Sequence, residues 1–238
     1  MSEVISASQV RGRFNAVVFD LDGTLIDSAP DVRAALNRAL AAFGRREIGE
    51  AEIVEMMGHG ASPMIDKALR ATGEPLAGEP FESVLRRYLE CYMEEPALRT
   101  IVFAGVRETV TMLHDAGIKL GICTNKPHQL SLAVLEALGL RRYFSAVLGG
   151  DAVPEKKPHP EHLLATLREL GVHASRAIYV GDSGVDVETA RNAGVPVIVL
   201  NHGYSARPAA ELGADLVIDG FAGFPASLLR CRAAGVSP

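Results

Sequence analysis

The chain has no tryptophan, and phenylalanine and tyrosine together make up only 5% of it. Its three cysteines, Cys91, Cys123 and Cys231, lie far apart, which excludes both a disulfide framework and a zinc site of ordinary spacing. No apolar run approaches the roughly 20 residues that span a bilayer. Met1–Gln9 lacks the apolar stretch of a secretory signal. Basic residues are outnumbered, 24 Lys and Arg against 29 Asp and Glu, for a formal net charge of −5. Neither a nucleic acid nor a membrane surface is therefore expected as a partner. Repeats and low-complexity tracts are absent as well. What these absences leave is a soluble cytoplasmic protein of 238 residues, as one large domain or two modest ones.

What is present starts with Val17-Val18-Phe19-Asp20-Leu21-Asp22-Gly23-Thr24-Leu25. The apolar run from Asn15 to Phe19 reads as a central parallel strand, buried on both faces. It ends in two carboxylates at i and i+2, followed by a turn glycine and a hydroxyl. The C-terminal ends of such strands are where open α/β sheets place their ligands. Two acids there repel each other unless a cation or phosphate chemistry needs them.

From Gly105 onward amphipathic helices alternate with short apolar strands at Ile118–Cys123, Ala146–Leu148, Ala177–Val180, Val195–Leu200 and Leu216–Ile218. That rhythm predicts an α/β fold with a parallel sheet and helices on both faces. The stretch from Asp20 to Ile118 is far longer than a crossover of about 30 residues requires. Its first part is helical in pattern. Ser28-Ala29-Pro30-Asp31 resembles a capped start, Val32, Leu36, Ala39, Leu40 and Phe43 mark one face, and Gly44 is a stop. Met64, Ile65, Ala68 and Leu69 mark a second helix; Phe81, Leu85, Tyr88 and Tyr92 mark a third. The expected division is a core of residues 1–26 and 100–238 and a helical insertion of 27–99. Beside two carboxylates, such an insertion is placed to act as a lid or simply to pack.

Polar residues recur at the later strand ends. Thr124 and Asn125 are either phosphate ligands or helix caps. Lys157, between Lys156 and Pro158, is either a fixed counter-charge or a solvated lysine. Asp182 follows its strand directly and suits a hard cation such as Mg²⁺; Asp186, four residues on, is a further acid or a cap. Together, in this order, they describe a Mg²⁺-dependent phosphoryl-transfer site.

These motifs resemble those of the haloacid dehalogenase superfamily of phosphotransferases. Asp20-Leu21-Asp22-Gly23-Thr24, Thr124-Asn125, Lys157-Pro158 and Gly181-Asp182-Ser183-Gly184-Val185-Asp186 match its four motifs in order, over about 14–219. The resemblance implies a Rossmann-like core with the first strand between the second and fourth, an α-helical cap, and Mg²⁺ held by Asp20, the Asp22 carbonyl and Asp182. It implies Asp20 as nucleophile through an aspartyl phosphate and Asp22 as proton shuttle. Thr124, Asn125 and Lys157 would hold the phosphate, and Asp186 would orient Lys157. An acid at Asp22 points to phosphate esters, because an alkoxide leaving group needs a proton and a halide does not.

Finer stretches resemble bacterial phosphoglycolate phosphatases, among them Gly58-His59-Gly60-Ala61, Thr124-Asn125-Lys126-Pro127 and Asn201-His202-Gly203-Tyr204. The expected reaction is hydrolysis of 2-phosphoglycolate. Phosphatases of other small esters or of pyrophosphate, and a phosphomutase, remain open, and a non-catalytic binding protein is disfavoured. A cysteine phosphatase is excluded because Gln129 stands where its arginine must follow Cys123. His59, Arg33 and Lys67 are the candidate contacts from the insertion; the sequence does not set an oligomeric state.

Overall fold

The structure, a computed structural model, describes residues 11–231. Met1–Gln9 and the outer ends of the expected core segments lie outside them. From β1 (Ala16–Phe19) the chain passes the acid pair into a two-residue strand, β2 (Ile26–Asp27). Four helices follow: α1 (Ala29–Ala42), α2 (Glu50–Met56), α3 (Ala61–Thr72) and α4 (Glu79–Glu94). β3 (Ile101–Val102) then pairs antiparallel with β2, so the helical segment leaves and returns through one short ribbon. Beyond it come α5 (Val106–Asp115), β4 (Lys119–Cys123), α6 (His128–Ala137), β5 (Ala146–Leu148) and α7 (Pro160–Leu170). The chain continues through β6 (Ala177–Gly181), α8 (Gly184–Ala193), β7 (Val197–Leu200), β8 (Leu216–Ile218) and α9 (Phe224–Arg230).

The main sheet is parallel, in the order β5-β4-β1-β6-β7-β8. This is the expected α/β architecture, with β1 between the second and fourth core strands. Strand side chains alternate between faces: Val17 and Phe19 join one hydrophobic layer, Ala16 and Val18 the other. Both layers are covered, which is why β1 reads as a continuous apolar run. Phe19 is level with Ile122 of β4 and Val180 of β6. Asp20, Thr124 and Asp182 therefore leave the sheet side by side.

In α1 the expected face is buried at Val32, Leu36, Ala39 and Leu40, but Phe43 is 38% exposed. Phe43 is already past the helix, at φ −111°, and Gly44 turns the chain at φ +67°. Helix α2 had no counterpart in the sequence reading. Seven residues with two buried positions, Ile53 and Met56, are too few to establish a period.

Ser28-Ala29-Pro30-Asp31 starts the helix, but not by the expected cap. Ser28 makes no side-chain cap hydrogen bond. Asp31 instead reaches across to the returning chain. Its buried carboxylate accepts hydrogen bonds from Arg99 N (2.8 Å), Thr100 N (2.7 Å) and Thr100 Oγ1 (2.7 Å). It thus stitches the two ends of the helical segment together beside the β2–β3 ribbon. Alanine at Asp31 would strand these donors, and a loss of about 2–3 kcal/mol is expected in urea denaturation. A change below about 0.5 kcal/mol would remove the stitch from the account.

Candidate active site

Asp20 continues the β1 ladder by donating its N–H to Val180 O (2.9 Å), so the sheet fixes its backbone. Its side chain is buried, with Oδ2 3.0 Å from Lys157 Nζ. The chain then turns at Gly23 (φ +83°), where a Cβ would stand 2.6 Å from Asp182 Oδ2. Only glycine allows that approach. Asp182 is held by neutral donors alone: Thr24 Oγ1 donates to Oδ1 (2.8 Å) and Tyr204 N to Oδ2 (2.8 Å).

Lys157 is the hub. Its buried ammonium touches Asp20, Asp186 Oδ1 (2.7 Å) and Tyr179 Oη (2.9 Å). Asp186 realises both of its sequence alternatives at once. Oδ1 accepts from Lys157 and from Tyr179, while Oδ2 caps α8 through Ser183 N (3.0 Å) and Ser183 Oγ (2.6 Å). Below Lys157, His162 Nδ1 accepts the Lys157 N–H (3.3 Å), and burial beside that ammonium lowers the imidazole to about 4.

Carboxylate oxygens of Asp20, Asp182 and Asp186 lie within 4.8 Å of one another. Burial pushes Asp20 up to about 6 against the pull of Lys157, with the Asp186 charge adding to the rise. Burial, then Asp186 and Asp20, push Asp182 well above the usual range. Asp186 goes the other way: burial opposes its charge, but Lys157 and its hydrogen bonds hold it low. Repulsion between two carboxylates at about 4 Å is on the order of 4 kcal/mol at an effective dielectric near 20. Asp182, with no cationic partner among the described residues, is the acid left uncompensated. An all-oxygen donor set of this kind fits a hard divalent cation. Asp186 is the poorest ligand of the three, because each of its oxygens already accepts at least two hydrogen bonds, Oδ1 from Lys157 and Tyr179 and Oδ2 from Asp182 N, Ser183 N and Ser183 Oγ, whereas each oxygen of Asp182 accepts one.

Asp22 turns away from that cluster. Its carboxylate accepts from Ser28 Oγ (2.5 Å) and Lys126 Nζ (3.1 and 3.2 Å to the two oxygens). Lys126 was not among the expected site residues. Its only sequence signal is its place in Thr124-Asn125-Lys126-Pro127, between a strand end and a helix start. Tyr204 was missed too: its hydroxyl accepts from Ser28 N and Ala29 N and donates to Asp27, joining the Asp182 loop to the root of α1.

Thr124 lines a small chamber beside Asp20 and Asp22. Asn125 spends its Nδ2 on Gly58 O and Lys157 O, both at 3.1 Å, and its buried Oδ1 has no partner. Neither residue caps α6 with its side chain; the cap position is Pro127. Lys156 donates to His59 O (2.9 Å). Asn125 and Lys156 thus grip consecutive carbonyls of the Gly58-His59-Gly60 turn.

A small, half-open chamber of about 50 Å³ lies between this cluster and the helical segment. Asp20, Asp22, Thr124 and Lys126 form its floor, and Val32, Met57, Met64 and Tyr88 its largely apolar roof. A wider groove of about 790 Å³ runs outside it, past Asn125 and Lys157. His59, Arg33 and Lys67 do not line the chamber. The His59 ring is exposed, Arg33 pairs with Glu50 (3.2 Å), and Lys67 donates to Glu55 O (3.2 Å).

Residues 17–200 match the model of the haloacid dehalogenase-like hydrolases. The chain belongs to this family. Among these hydrolases, phosphoglycolate phosphatase of Rhodospirillum rubrum is 42% identical over 220 residues, covering 88% of this chain and 91% of its own. Phosphoglycolate phosphatase of Caulobacter vibrioides is 40% identical over 209 residues, covering 88% of each. A crystal structure described as a predicted phosphoglycolate phosphatase from Haemophilus somnus 129pt has a TM-score of 0.84 at 31% identity, covering 89% of this chain and 96% of that one. Within the haloacid dehalogenase-like hydrolases the chain is thus a phosphoric monoester hydrolase. Among the described residues no helix is long and apolar enough to cross a membrane.

Proposed function

We propose that the chain hydrolyses 2-phosphoglycolate to glycolate and phosphate through an aspartyl phosphate on Asp20. The observation that carries this reading is the small chamber over Asp20 and Asp22, about 50 Å³ with an apolar roof. It favours a compact ester over a sugar phosphate, and the names of the relatives point the same way.

Asp20 Oδ attacks phosphorus as the bond to the leaving oxygen breaks. Asp22 gives that oxygen a proton, so the product leaves as an alcohol. Asp22 then takes a proton from water, whose oxygen attacks phosphorus and frees Asp20. Thr124 Oγ1, the Asn125 backbone N–H and Lys157 Nζ hold the non-bridging oxygens, where charge is spread in the transition state. Asn125 acts here through its backbone, since its Nδ2 is committed to two carbonyls. Asp186 fixes Lys157. Asp20, the Asp22 carbonyl and Asp182 would hold Mg²⁺, which supplies positive charge to the phosphate and to the crowded carboxylates. The helical segment 27–99 is the cap over a core of 1–26 and 100–238, and it covers the chamber with apolar side chains that leave less room for water. The setting is the cytoplasm, where the free, buried Cys91, Cys123 and Cys231 stay reduced.

A phosphate-release screen over small phosphometabolites with Mg²⁺ should give the highest kcat/KM for 2-phosphoglycolate. Exhaustive chelation should abolish turnover, with recovery on adding Mg²⁺ and only a moderate drop in Tm. Full activity in excess EDTA would sink the metal assignment, and much higher efficiency on another ester would overturn the substrate.

A further inference from the structure

The site contains two buried ammonium groups, and they serve opposite ends of the reacting bond. Lys157 lies against Asp20, on the phosphoryl side. Lys126 lies against Asp22, on the leaving-group side. Of the residues lining the chamber, Lys126 is the one with a basic side chain. It is 6% exposed, with Nζ 2.9 Å from Tyr92 Oη and 4.4 Å from the centre of the Tyr92 ring.

A buried lysine is an expensive way to steady a carboxylate that Ser28 already holds at 2.5 Å. Its position suggests a second task. A group attached next to the leaving oxygen must lie close to whatever sits beside the acid that protonates that oxygen. In 2-phosphoglycolate one methylene separates the leaving oxygen from a carboxylate. That short arm brings the anion to the ammonium bonded to Asp22. The facing wall of Val32, Met57, Met64 and Tyr88 offers no competing charge. A charge-assisted hydrogen bond is strong in such surroundings.

We infer that Lys126 is the specificity-determining residue that selects a carboxylate on the carbon next to the ester oxygen, an inference that rests on the phosphoglycolate reading above. Tyr92 belongs to α4, so the helical segment holds this ammonium in place rather than touching the substrate anion with a cation of its own. The arrangement disfavours polyol phosphates twice. They bring no anion for Lys126, and the roof of Val32, Met57 and Met64 leaves only the Tyr88 hydroxyl to bond theirs.

The test compares kcat/KM for 2-phosphoglycolate and for 2-hydroxyethyl phosphate, the same ester with a neutral end. In the wild-type enzyme the ratio should strongly favour the anionic ester. In Lys126→Met it should fall about 100-fold, chiefly through KM, while Lys126→Arg keeps part of it. Equal losses on both esters would show that Lys126 serves only Asp22, and would overturn the inference while leaving the phosphoglycolate reading standing. A wild-type enzyme without preference for 2-phosphoglycolate would remove that reading and the inference with it. A second measurement needs no variant: in a complex of the wild-type enzyme with 3-phosphonopropionate, the carboxylate should sit on Lys126 Nζ. A carboxylate seated on any other group rejects the assignment.

Discussion

Asparagine at Asp20 is expected to lower kcat by at least about 10⁴-fold, the scale set by removing a covalent nucleophile from a hydrolase. The amide oxygen occupies nearly the same volume but carries no charge with which to attack phosphorus. A second effect has the opposite sign. Burial, only partly offset by Lys157, raises the Asp20 carboxyl to about 6. The folded state therefore binds this proton more tightly than the unfolded chain does. The contribution to stability is present below the unfolded value near 4, is lost as pH rises towards 6, and is a net cost at pH 7. Asp20→Asn removes that cost, so the metal-free variant should be more stable than wild type at pH 7, by on the order of 2 kcal/mol. With saturating Mg²⁺ the difference should shrink, because the cation offsets the same repulsion. Phosphate release is read by a colorimetric assay and stability by chemical denaturation at two pH values. A variant retaining a tenth of wild-type turnover would reject Asp20 as nucleophile.

The residues of that argument were legible because each stands where a local pattern breaks. Asp20 ends an unbroken apolar strand, Asp182 ends another, and Lys157 stands before Pro158, just ahead of a helix that starts at Pro160. The parallel sheet was legible for the same reason, since each of its strands carries its own apolar signature. Residues that depend on distant partners were not. Lys126 and Asp22 are 104 positions apart, and Tyr204 and Ser28 are 176 apart. No periodicity carries such a pairing. Asp31 is instructive, because its helix-start position invited a purely local reading. The structure instead gives its carboxylate to Thr100, on the far side of the insertion. The β2–β3 ribbon escaped notice too, because two residues per strand cannot show an alternation.

Methionine at Lys157 should have the largest combined effect on stability and turnover. The side chain is about the right size and shape for its slot, so the change chiefly deletes the charge. What remains is a pair of buried carboxylates, Asp20 and Asp186, that lose contacts of 3.0 and 2.7 Å. Breaking one partner from a buried ionic group costs about 3–5 kcal/mol. The loss of a donor to the transferring phosphoryl group should cost a further factor of about 10³ in kcat. The two consequences can be separated by a second substitution. Asp186→Asn in the Lys157→Met background removes the most deeply stranded charge, so stability should recover by about 2 kcal/mol. Turnover should not recover, because no cation faces the phosphate from that side. Recovery of both would mean that Lys157 acts only as a structural counter-charge. Recovery of neither would mean that Asp186 is held chiefly by Ser183 and Tyr179, whose hydroxyls already bond it at 2.6 and 3.0 Å. The cycle thus measures how the ammonium divides its work between holding two acids in place and stabilising the phosphate passed to one of them.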